Sequence, residues 1–433
     1  MKKQLKKLLP KNLFSVYHFV LAVLATTRYG NPSKKMIIIG VTGTKGKTSA
    51  INFIWSCLQA GGLKTGIIST ANIRIGEEEF LNKYHMTMPG PMVVQGLMAR
   101  MVKQGCRYCL VETTSEGIKQ FRHIGICYDI AIFTNLSPEH LSSHGGSFEK
   151  YKAMKAKLFE GLSKTRKIIN GKVIEKVIIA NNDSEHAEYF LKHQADKKIT
   201  FAINNSADYV ANNIQETVSG VNFKIANDDY KINILGKFNI YNALPGIIVA
   251  KLAGVSDKLI KKGLENLEII PGRMEKINEG QNFTVFVDYA HEKESITNVL
   301  QTANNLKQNG TKTIILLGAE GGGRDKAKRP IMGEISAKMA DYVVVSNVDP
   351  YEDDPKQILE DIAVVAEKFG KVRGKDLFVI EDRREGIKKA LSLGKVGDVV
   401  LITGKGAEQS IIVGGKKSPW DDRLVVREEL KNN

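Results

Sequence analysis

Cysteine is scarce in this chain: four residues in 433, at Cys57, Cys106, Cys109 and Cys127. So few thiols exclude a disulfide-stapled scaffold and fit a reducing compartment. Cys106 and Cys109 form a CxxC, but no second pair and no histidine pair completes a zinc site. The motif also runs into the apolar Leu110-Val111 of a buried strand, so a structural role outweighs a redox or metal role. Eleven prolines and the lack of any low-complexity tract or tandem repeat exclude Pro-rich linkers and solenoids. Long apolar runs are missing too: Leu13–Thr26 is interrupted by Ser15, Tyr17 and His18 and is too short to span a bilayer comfortably. Acidic residues are absent from the first 35 positions, which hold eight Lys/Arg. Half of the formal charge of +16 therefore sits in that segment, and the rest is dispersed over 55 Lys/Arg and 47 Asp/Glu. That distribution argues against a nucleic-acid-binding protein and suits an enzyme handling anionic phosphates.

What is present is a soluble globular composition, 42% apolar and 25% charged, in a chain long enough for two or three domains. Short apolar runs alternate with helical stretches. Strands are expected at Met36–Gly40, Gly66–Ser69, Tyr108–Glu112, Ile130–Phe133 and Val177–Ala180, with helices near Thr48–Ala60 and Met92–Gln104. Residues Ile199–Ile234 alternate apolar and polar positions between Asn/Asp/Gly turns, which predicts an antiparallel patch, and a helix follows over Asn239–Ala253. A second series begins after Pro271-Gly272-Arg273, with strands at Phe283–Val287, Thr313–Leu317, Tyr342–Val345, Leu377–Ile380 and Val399–Ile402. The boundary is placed between 270 and 271.

The strongest local signal is Gly40-Val-Thr-Gly-Thr-Lys-Gly-Lys-Thr48 on a strand–turn–helix. Backbone N–H groups of such a turn cradle phosphate oxygens, Lys47 reaches the terminal phosphates, and the Thr48 hydroxyl touches Mg²⁺. Gly40 lies one residue too far from Gly46 for the strict P-loop pattern. An incidental lysine in a Gly-rich turn is the alternative, and the flanking strand and helix argue against it. Glu112-Thr-Thr-Ser-Glu116 and Phe133-Thr-Asn-Leu-Ser-Pro-Glu-His140 also follow strands, so Glu112, Asn135 and His140 converge with the turn at the carboxyl ends of a parallel sheet. The fold class is α/β: residues 36–270 form a central P-loop ATPase-type domain with a mainly parallel sheet, and residues 271–433 a Rossmann-like C-terminal domain. Ahead of them lies the basic, amphipathic segment 1–35. Its Lys2, Lys3, Lys6, Lys7 and Lys11 before an apolar run superficially resemble a signal peptide, yet no A-x-A cleavage pattern follows. The segment is expected to be a helix, either packed on the body of a cytoplasmic protein or resting on the anionic inner face of the membrane.

These motifs resemble the Mur ligase superfamily, and especially its MurE type, the UDP-N-acetylmuramoyl-tripeptide synthetases. The resemblance runs from about Lys35 to the C-terminus. Its signatures stand in order as Thr42–Thr48, Thr87-Met88-Pro89, Glu112–Ser115, Phe133–Gly145, Tyr151–Phe159, Asn181–Asp183, Gly236–Asn242, Pro271–Met274, Val287–His291, Gly322–Gly333, Gly404–Glu408 and Asp421–Arg423. The resemblance implies an ATP-dependent ligase that activates a carboxylate as an acyl phosphate and joins it to an amine. It assigns Gly43, Thr44, Lys45, Gly46, Lys47, Thr48 and Ser49 to the nucleotide, with Asn239 and Asn242 near adenine and Arg273 and Asp288 on phosphates and ribose. Thr48, Glu112, His140 and a carbamylated Lys155 hold Mg²⁺ at two sites. Lys47, Lys155, His140 and Arg273 are the catalytic set, and Thr87, Thr114, Ser115, Asp349, Tyr351, Gly404 and Glu408 face the substrates, a small-molecule or peptidyl carboxylate and an amino acid. Closure of the C-terminal domain would exclude water from the mixed anhydride.

Three departures from the family shape the expected specificity. Only 39 residues precede Gly40, which points to absence of the domain that grips the UDP moiety. The Asp-Asn-Pro-Arg motif becomes Asp349-Pro350-Tyr351, which removes the arginine that clamps a carboxylate of diaminopimelate. Glu116 and Ala407 replace histidines near the substrate cleft. A MurE-like muropeptide ligase is the first reading. The second is a ligase of the same fold acting on another carboxylate: a lipid-linked precursor, as in MurT-like proteins that work with a partner chain, or a polyglutamate-type chain. A P-loop binding protein without ligase chemistry would have no need of Glu112, His140, Lys155, Arg273 and Asp288 together.

Overall fold

The computed structural model describes residues 11–84, 86–139, 141–308 and 310–432, with side chains from Ser15 onward. The chain divides into two compact units. One comprises residues up to Asn213 with Phe223–Lys231 and Ile240–Asn266; the other comprises Ile214–Asn222, Ile232–Asn239 and Leu267–Asn433.

In the first unit α1 (Lys11–Arg28) leads into β1 (Ile37–Thr42) and α2 (Lys47–Ala60). Then come β2 (Thr65–Ile68), the hairpin β3–β4 (Asn72–Ile75, Glu78–Leu81), α3 (Pro91–Lys103), β5 (Tyr108–Glu112), α4 (Ser115–Lys119), β6 (Ile130–Phe133), α5 (Phe148–Glu160), β7 (Val177–Asn181), α6 (Ala187–Leu191) and β8 (Lys197–Ala202). Strands β9 (Tyr209–Thr217), β10 (Gly220–Ile225) and β11 (Asp228–Ile232) precede α7 (Asn239–Leu252) and α8 (Asp257–Asn266). The sheet order is β11-β10-β9-β8-β7-β6-β1-β5-β2-β3-β4. β1 is central and parallel to both β5 and β6, with Ile39 opposite Leu110 on one side and Ile130 on the other. Both faces of β1 are covered, which is why Ile38, Ile39 and Val41 form an unbroken apolar run rather than an alternation. The antiparallel patch expected from Ile199 starts later. β8 pairs parallel with both β7 and β9, because residues 203–208 carry the chain back to the start of the next strand, held there by Asp208 accepting from Thr200 N and Oγ1 (2.7 Å each).

Helix α2 buries Ala50, Phe53, Ile54, Cys57 and Leu58 and ends in a left-handed cap: Gly62 is at φ +72°, and Leu63 N donates to Leu58 O (2.9 Å). Helix α8 lies close against it. A Cβ on Gly263 would be 2.7 Å from Cys57 Cα, so glycine sets that approach. Burial pushes the Cys57 and Cys109 thiols well up, as suits inert core residues. No helix among the described residues is long and apolar enough to cross a membrane.

The second unit has the sheet order β12 (Glu275–Ile277), β13 (Thr284–Asp288), β17 (Val399–Thr403), β14 (Thr313–Leu317), β15 (Tyr342–Ser346), β16 (Leu377–Ile380), with β12 antiparallel and the others parallel. Helices α9 (Lys293–Leu306), α10 (Lys328–Met339) and α11 (Pro355–Lys368) bury Val299, Met332 and Ile362 with Phe286 and Leu401 in one core. The other core sets Ile387 of α12 (Arg383–Ser392) and Val426 of α13 (Asp422–Lys431) against Val287, Leu316 and Ile402.

At the amino end of β6 a buried carboxylate ties the sheet's edge together. Asp129 accepts from Ile38 N (2.8 Å), from Lys176 Nζ (2.9 Å) and from Lys167 Nζ, and Lys167 also donates to Met36 O (2.8 Å). Two ammoniums share one carboxylate with little exposure to solvent, so removing the acid leaves both buried charges uncompensated. Asp129→Ala is expected to destabilise the first unit by about 3–5 kcal/mol, read as a lower urea midpoint.

Candidate active site

The turn between β1 and α2 is shaped by two glycines that admit no side chain. Gly43 and Gly46 stand at φ +150° and +78°; a Cβ on the first would lie 2.0 Å from Thr134 Oγ1, and one on the second 2.2 Å from Asn242 Oδ1. Thr44 N donates to Asn135 O (2.9 Å) and Lys45 N to Asn135 Oδ1 (2.8 Å), so the loop after β6 holds the turn open. Lys45 Nζ pairs with Glu139 (2.5 Å), and Lys47 Nζ lies over the turn, donating to Thr44 O (2.9 Å). Ser49 is buried in the first turn of α2. Ser137 Oγ is buried beside Thr44 with no hydrogen-bond partner among the described residues. A helix N-terminus under a Gly-lined turn, with a lysine and an unspent hydroxyl, fits the phosphates of a nucleotide.

Glu112, at the end of β5, faces this turn. Its Oε2 accepts from Thr48 Oγ1 (2.9 Å) and from Thr70 N (2.8 Å), and Thr70 Oγ1 shares a hydrogen bond with Thr87 Oγ1 (2.8 Å). Thr48 and Glu112 thus offer hard oxygen donors beside the phosphate turn, the donor set Mg²⁺ takes. Lys155 of α5 is 2% exposed and donates to Gly43 O (2.7 Å), with its ammonium 4.5 Å from the Tyr151 ring centroid. Burial, reinforced by Lys47, holds its pKa well below the usual lysine range against the pull of Glu139 and Glu112. Ser115 is buried and bonds to His144 Nε2 (3.1 Å), while Thr114 caps α4 by accepting from Gly117 N (3.1 Å). His140 lies outside the described residues. Asn242 is brought to Gly46 by α7.

The second unit gathers the remaining candidates except Asn242. Asn239 donates to Leu235 O (2.7 Å). Asp288 accepts from Met274 N and Ala290 N (2.7 Å each), which fixes the Gly272–Met274 turn and sets the Arg273 guanidinium 4.5 Å from the Tyr289 ring centroid. Gly272 packs too close to the Gly404–Glu408 loop for a side chain: its Cβ would fall 2.2 Å from Ala407 N. Gly404, at φ +114°, packs likewise on Val348. Within that loop Lys405 Nζ binds Asp349 Oδ2 (2.8 Å) and Glu408 Oε2 (2.6 Å), and Tyr289 OH donates to Glu408 Oε1 (3.3 Å). Desolvation raises the Glu408 pKa despite Lys405. Tyr351, at φ +57°, has the Arg324 guanidinium as an electrostatic neighbour. Arg383 and Arg384 are committed elsewhere, the first to a fully buried bidentate pair with Asp422 (2.8 and 2.6 Å), the second to Glu428 and Glu429.

Comparison with known proteins converges on one group. The family described as Mur ligase middle domain matches residues 41–250, and the Mur ligase, glutamate ligase domain family matches residues 272–406. The chain is 36% identical over 418 residues to a UDP-N-acetylmuramyl-tripeptide synthetase of Roseiflexus sp. (strain RS-1), covering 95% of this chain and 81% of the relative. It is 35% identical over 414 residues to the UDP-N-acetylmuramoyl-L-alanyl-D-glutamate--2,6-diaminopimelate ligase of Bacillus cereus, with the same coverage. The chain belongs to the Mur ligase family. A solved structure of a UDP-N-acetylmuramoyl-L-alanyl-D-glutamate--2,6-diaminopimelate ligase superposes with a TM-score of 0.61 at 29% identity, covering 92% of this chain and 79% of that one. A Mycobacterium tuberculosis folylpolyglutamate synthase reaches 0.71 at 18% identity, covering 89% and 92%, and shows the fold alone.

Mur ligases are ATP-dependent amide-forming ligases that use Mg²⁺, and several side chains of this Mur ligase gain structural parts that motif reading left unassigned. Lys405 holds Asp349 and Glu408 together; it stood within the Gly404–Glu408 signature without a role. Asp183 accepts from Ile203 N, Asn204 N and Tyr241 OH (2.7–2.9 Å), anchoring α7 beside the turn. Glu320 lies 3.7 Å from Lys328 and 4.0 Å from Arg324, and those cations help hold its carboxyl down to about 2. Spacing could have flagged Asp183 and Arg324, which sit in quoted signatures; Glu320 carries no motif. Lys47→Ala is expected to lower phosphate release from ATP about a thousandfold or more, because it takes the cation from the turn where phosphoryl charge develops; wild-type turnover would remove the turn from the nucleotide site.

Proposed function

We propose that this Mur ligase is of MurE type, forming an amide bond that adds an amino acid to a peptidoglycan precursor. The observation that carries this reading is the pairing of a Gly-lined phosphate turn with Glu112 and Thr48 on one side and buried Lys155 on the other. The similarity over 95% of the chain to a tripeptide synthetase and to diaminopimelate ligases supports it. A substrate carboxylate oxygen attacks the γ-phosphorus of ATP, ADP leaves, and an acyl phosphate forms. The amine nitrogen then attacks the acyl carbon, loses a proton, and phosphate departs. Lys47 and Arg273 offset charge on the phosphoryl oxygens, and Asp288 is assigned to ribose. Bound Mg²⁺ supplies further neutralisation of that charge, held by Thr48, Glu112, His140 and carbamylated Lys155. Domain limits of 36–270 and 271–433 go with this reading. The protein is assigned to the cytoplasm at the inner membrane face, with residues 1–35 as a peripheral contact. A lipid-linked carboxylate, served with a partner chain, is the alternative. The direct test is phosphate release from ATP with a matrix of carboxylates and amines: turnover should need both together, and release without an amine would sink the ligase reading.

A lysine kept neutral by burial can attack CO₂, losing a proton and becoming an anionic carbamate. Lys155→Ala is expected to lose activity by about a hundredfold or more and to regain part of it with added short carboxylates. A wild-type-like variant would make Lys155 structural.

The amine is proposed to be L-lysine or a similar basic amino acid. Tyr351 stands where a clamping arginine is expected, and Arg383 and Arg384 are tied to acids. Arg324 is the guanidinium beside Tyr351, enough for one carboxylate, while Glu408 and Glu320 suit an ammonium. Lys405 is held between Asp349 and Glu408 and Lys328 between Glu292 and Glu320, so a second substrate carboxylate would find no further guanidinium or ammonium among the described residues to match it and would cost several kcal/mol, roughly a thousandfold in selectivity. Competing L-lysine with meso-diaminopimelate at equal concentration, with product mass as the readout, decides the matter: a diaminopimelate product overturns the assignment.

A further inference from the structure

Helix α1 is apolar on both sides. Its inner side, with Ala22, Ala25 and Thr26 buried, packs on α3 and on the turn at Gly125. Its outer side presents Val16, Tyr17, Phe19, Val20, Val23 and Leu24, each between 41% and 60% exposed. At 100° per residue Val16, Val20, Val23 and Leu24 fall within a third of the helix circumference, flanked by Phe19 and Tyr17. No charged residue occurs from Asn12 to Thr27. A helix on the surface of a soluble protein ordinarily turns charged side chains outward. Elsewhere among the described residues, exposed large apolar side chains are scattered rather than gathered on one helix.

The flanks of this face decide what covers it. Lys2, Lys3, Lys6, Lys7 and Lys11 precede it, Arg28, Lys34 and Lys35 follow, and no acid stands anywhere in the first 35 residues. We propose that α1 docks the protein on an anionic lipid bilayer, lying in the plane of the interface with Val16, Val20, Val23 and Leu24 among the acyl boundaries and the flanking lysines and arginine on the headgroups. The apolar face supplies insertion, and the basic flanks select negatively charged lipid. Tyr17, apolar in its ring and polar at its tip, suits the rim of such a contact. The helix is not long and apolar enough to cross the bilayer, so it lies on the surface. This inference deepens the peripheral contact assigned to residues 1–35 and does not depend on which amide is formed.

Co-sedimentation of the full chain with phosphatidylcholine vesicles, with and without about one third phosphatidylglycerol, tests it. The bound fraction is expected to be about tenfold higher on the anionic vesicles and to fall about tenfold in the double variant Val20→Asp, Leu24→Asp. The milder Val20→Ser, Leu24→Ser pair should shift binding in the same direction. Both variants should keep the melting temperature and the ATP turnover in solution, since these side chains face away from the protein. Replacing Lys2, Lys3, Lys6 and Lys7 by glutamine should weaken the preference for anionic lipid. Absence of vesicle binding, or binding unchanged in both face variants, overturns the proposal. So does a dimer, seen by analytical ultracentrifugation, that dissociates in the face variants without any vesicle binding; the face would then be covered by a second copy. Loss of ligase turnover with any amine, alongside intact vesicle binding, would count against the reaction and leave the docking standing.

Discussion

One buried carboxylate holds together the loops around the β1–α2 turn of the first unit. Glu112 ends a central strand and accepts from a hydroxyl of the phosphate turn and from a backbone N–H at the end of β2. Hydrogen bonds to a charged acceptor contribute about 1.5–3 kcal/mol each, and a carboxylate 2% exposed that lost them would carry its desolvation cost alone. The contacts therefore fix where three loops begin: the turn after β1, the segment after β2 that reaches Thr87, and the segment after β5 that starts α4. Lys155 is fixed on the same turn by Gly43 O. Acid and base thus stand beside the same four-residue connection. Each is held by backbone or hydroxyl partners rather than by a direct ion pair: Glu112 by Thr48 and Thr70, Lys155 by Gly43 O.

The second unit answers the same problem differently. There Lys405 is fully buried between Asp349 and Glu408, and Arg383 is locked onto Asp422. Such pairs contribute little net stability, because desolvation consumes most of the Coulombic gain, but breaking one is costly. Their effect is to hold loops at the carboxyl ends of β15 and β17 in one arrangement, with Glu408, Tyr351 and Arg324 gathered around it. Charge placement in this rigid frame is what the proposed preference for a basic amine rests on, with tyrosine rather than arginine at position 351.

Much of this was legible in the sequence. Strands β5, β6 and β14 were delimited to the residue, because continuous apolar runs bounded by turns are unambiguous when a strand is buried on both faces; the half-buried edge strand β16 was delimited as well. The phosphate turn was legible because glycine is obligatory where a Cβ would strike Thr134 or Asn242. Less legible was the stretch after Ala202, where alternation predicted antiparallel pairing from Ile199. Alternation reports one buried face and says nothing of strand direction, which Asp208 and Thr200 decide locally.

By itself the sequence determined the α/β class, the order of the motifs and the residue types at the glycine-lined turn, since these follow from periodicity, glycine sterics and spacing along the chain, and the resemblance of its ordered signatures pointed to the family. Only the tertiary structure decided who partners whom. Arg383, 39 residues from Asp422, is a buried strut and not a substrate clamp; Lys405 is spent on two acids; Arg324 meets Tyr351. The same holds for α1, which the sequence showed as an amphipathic helix but whose buried and exposed sides only packing decided. Ion pairs and burial depend on distances between residues remote in sequence, and those distances exist only once the sheets have formed.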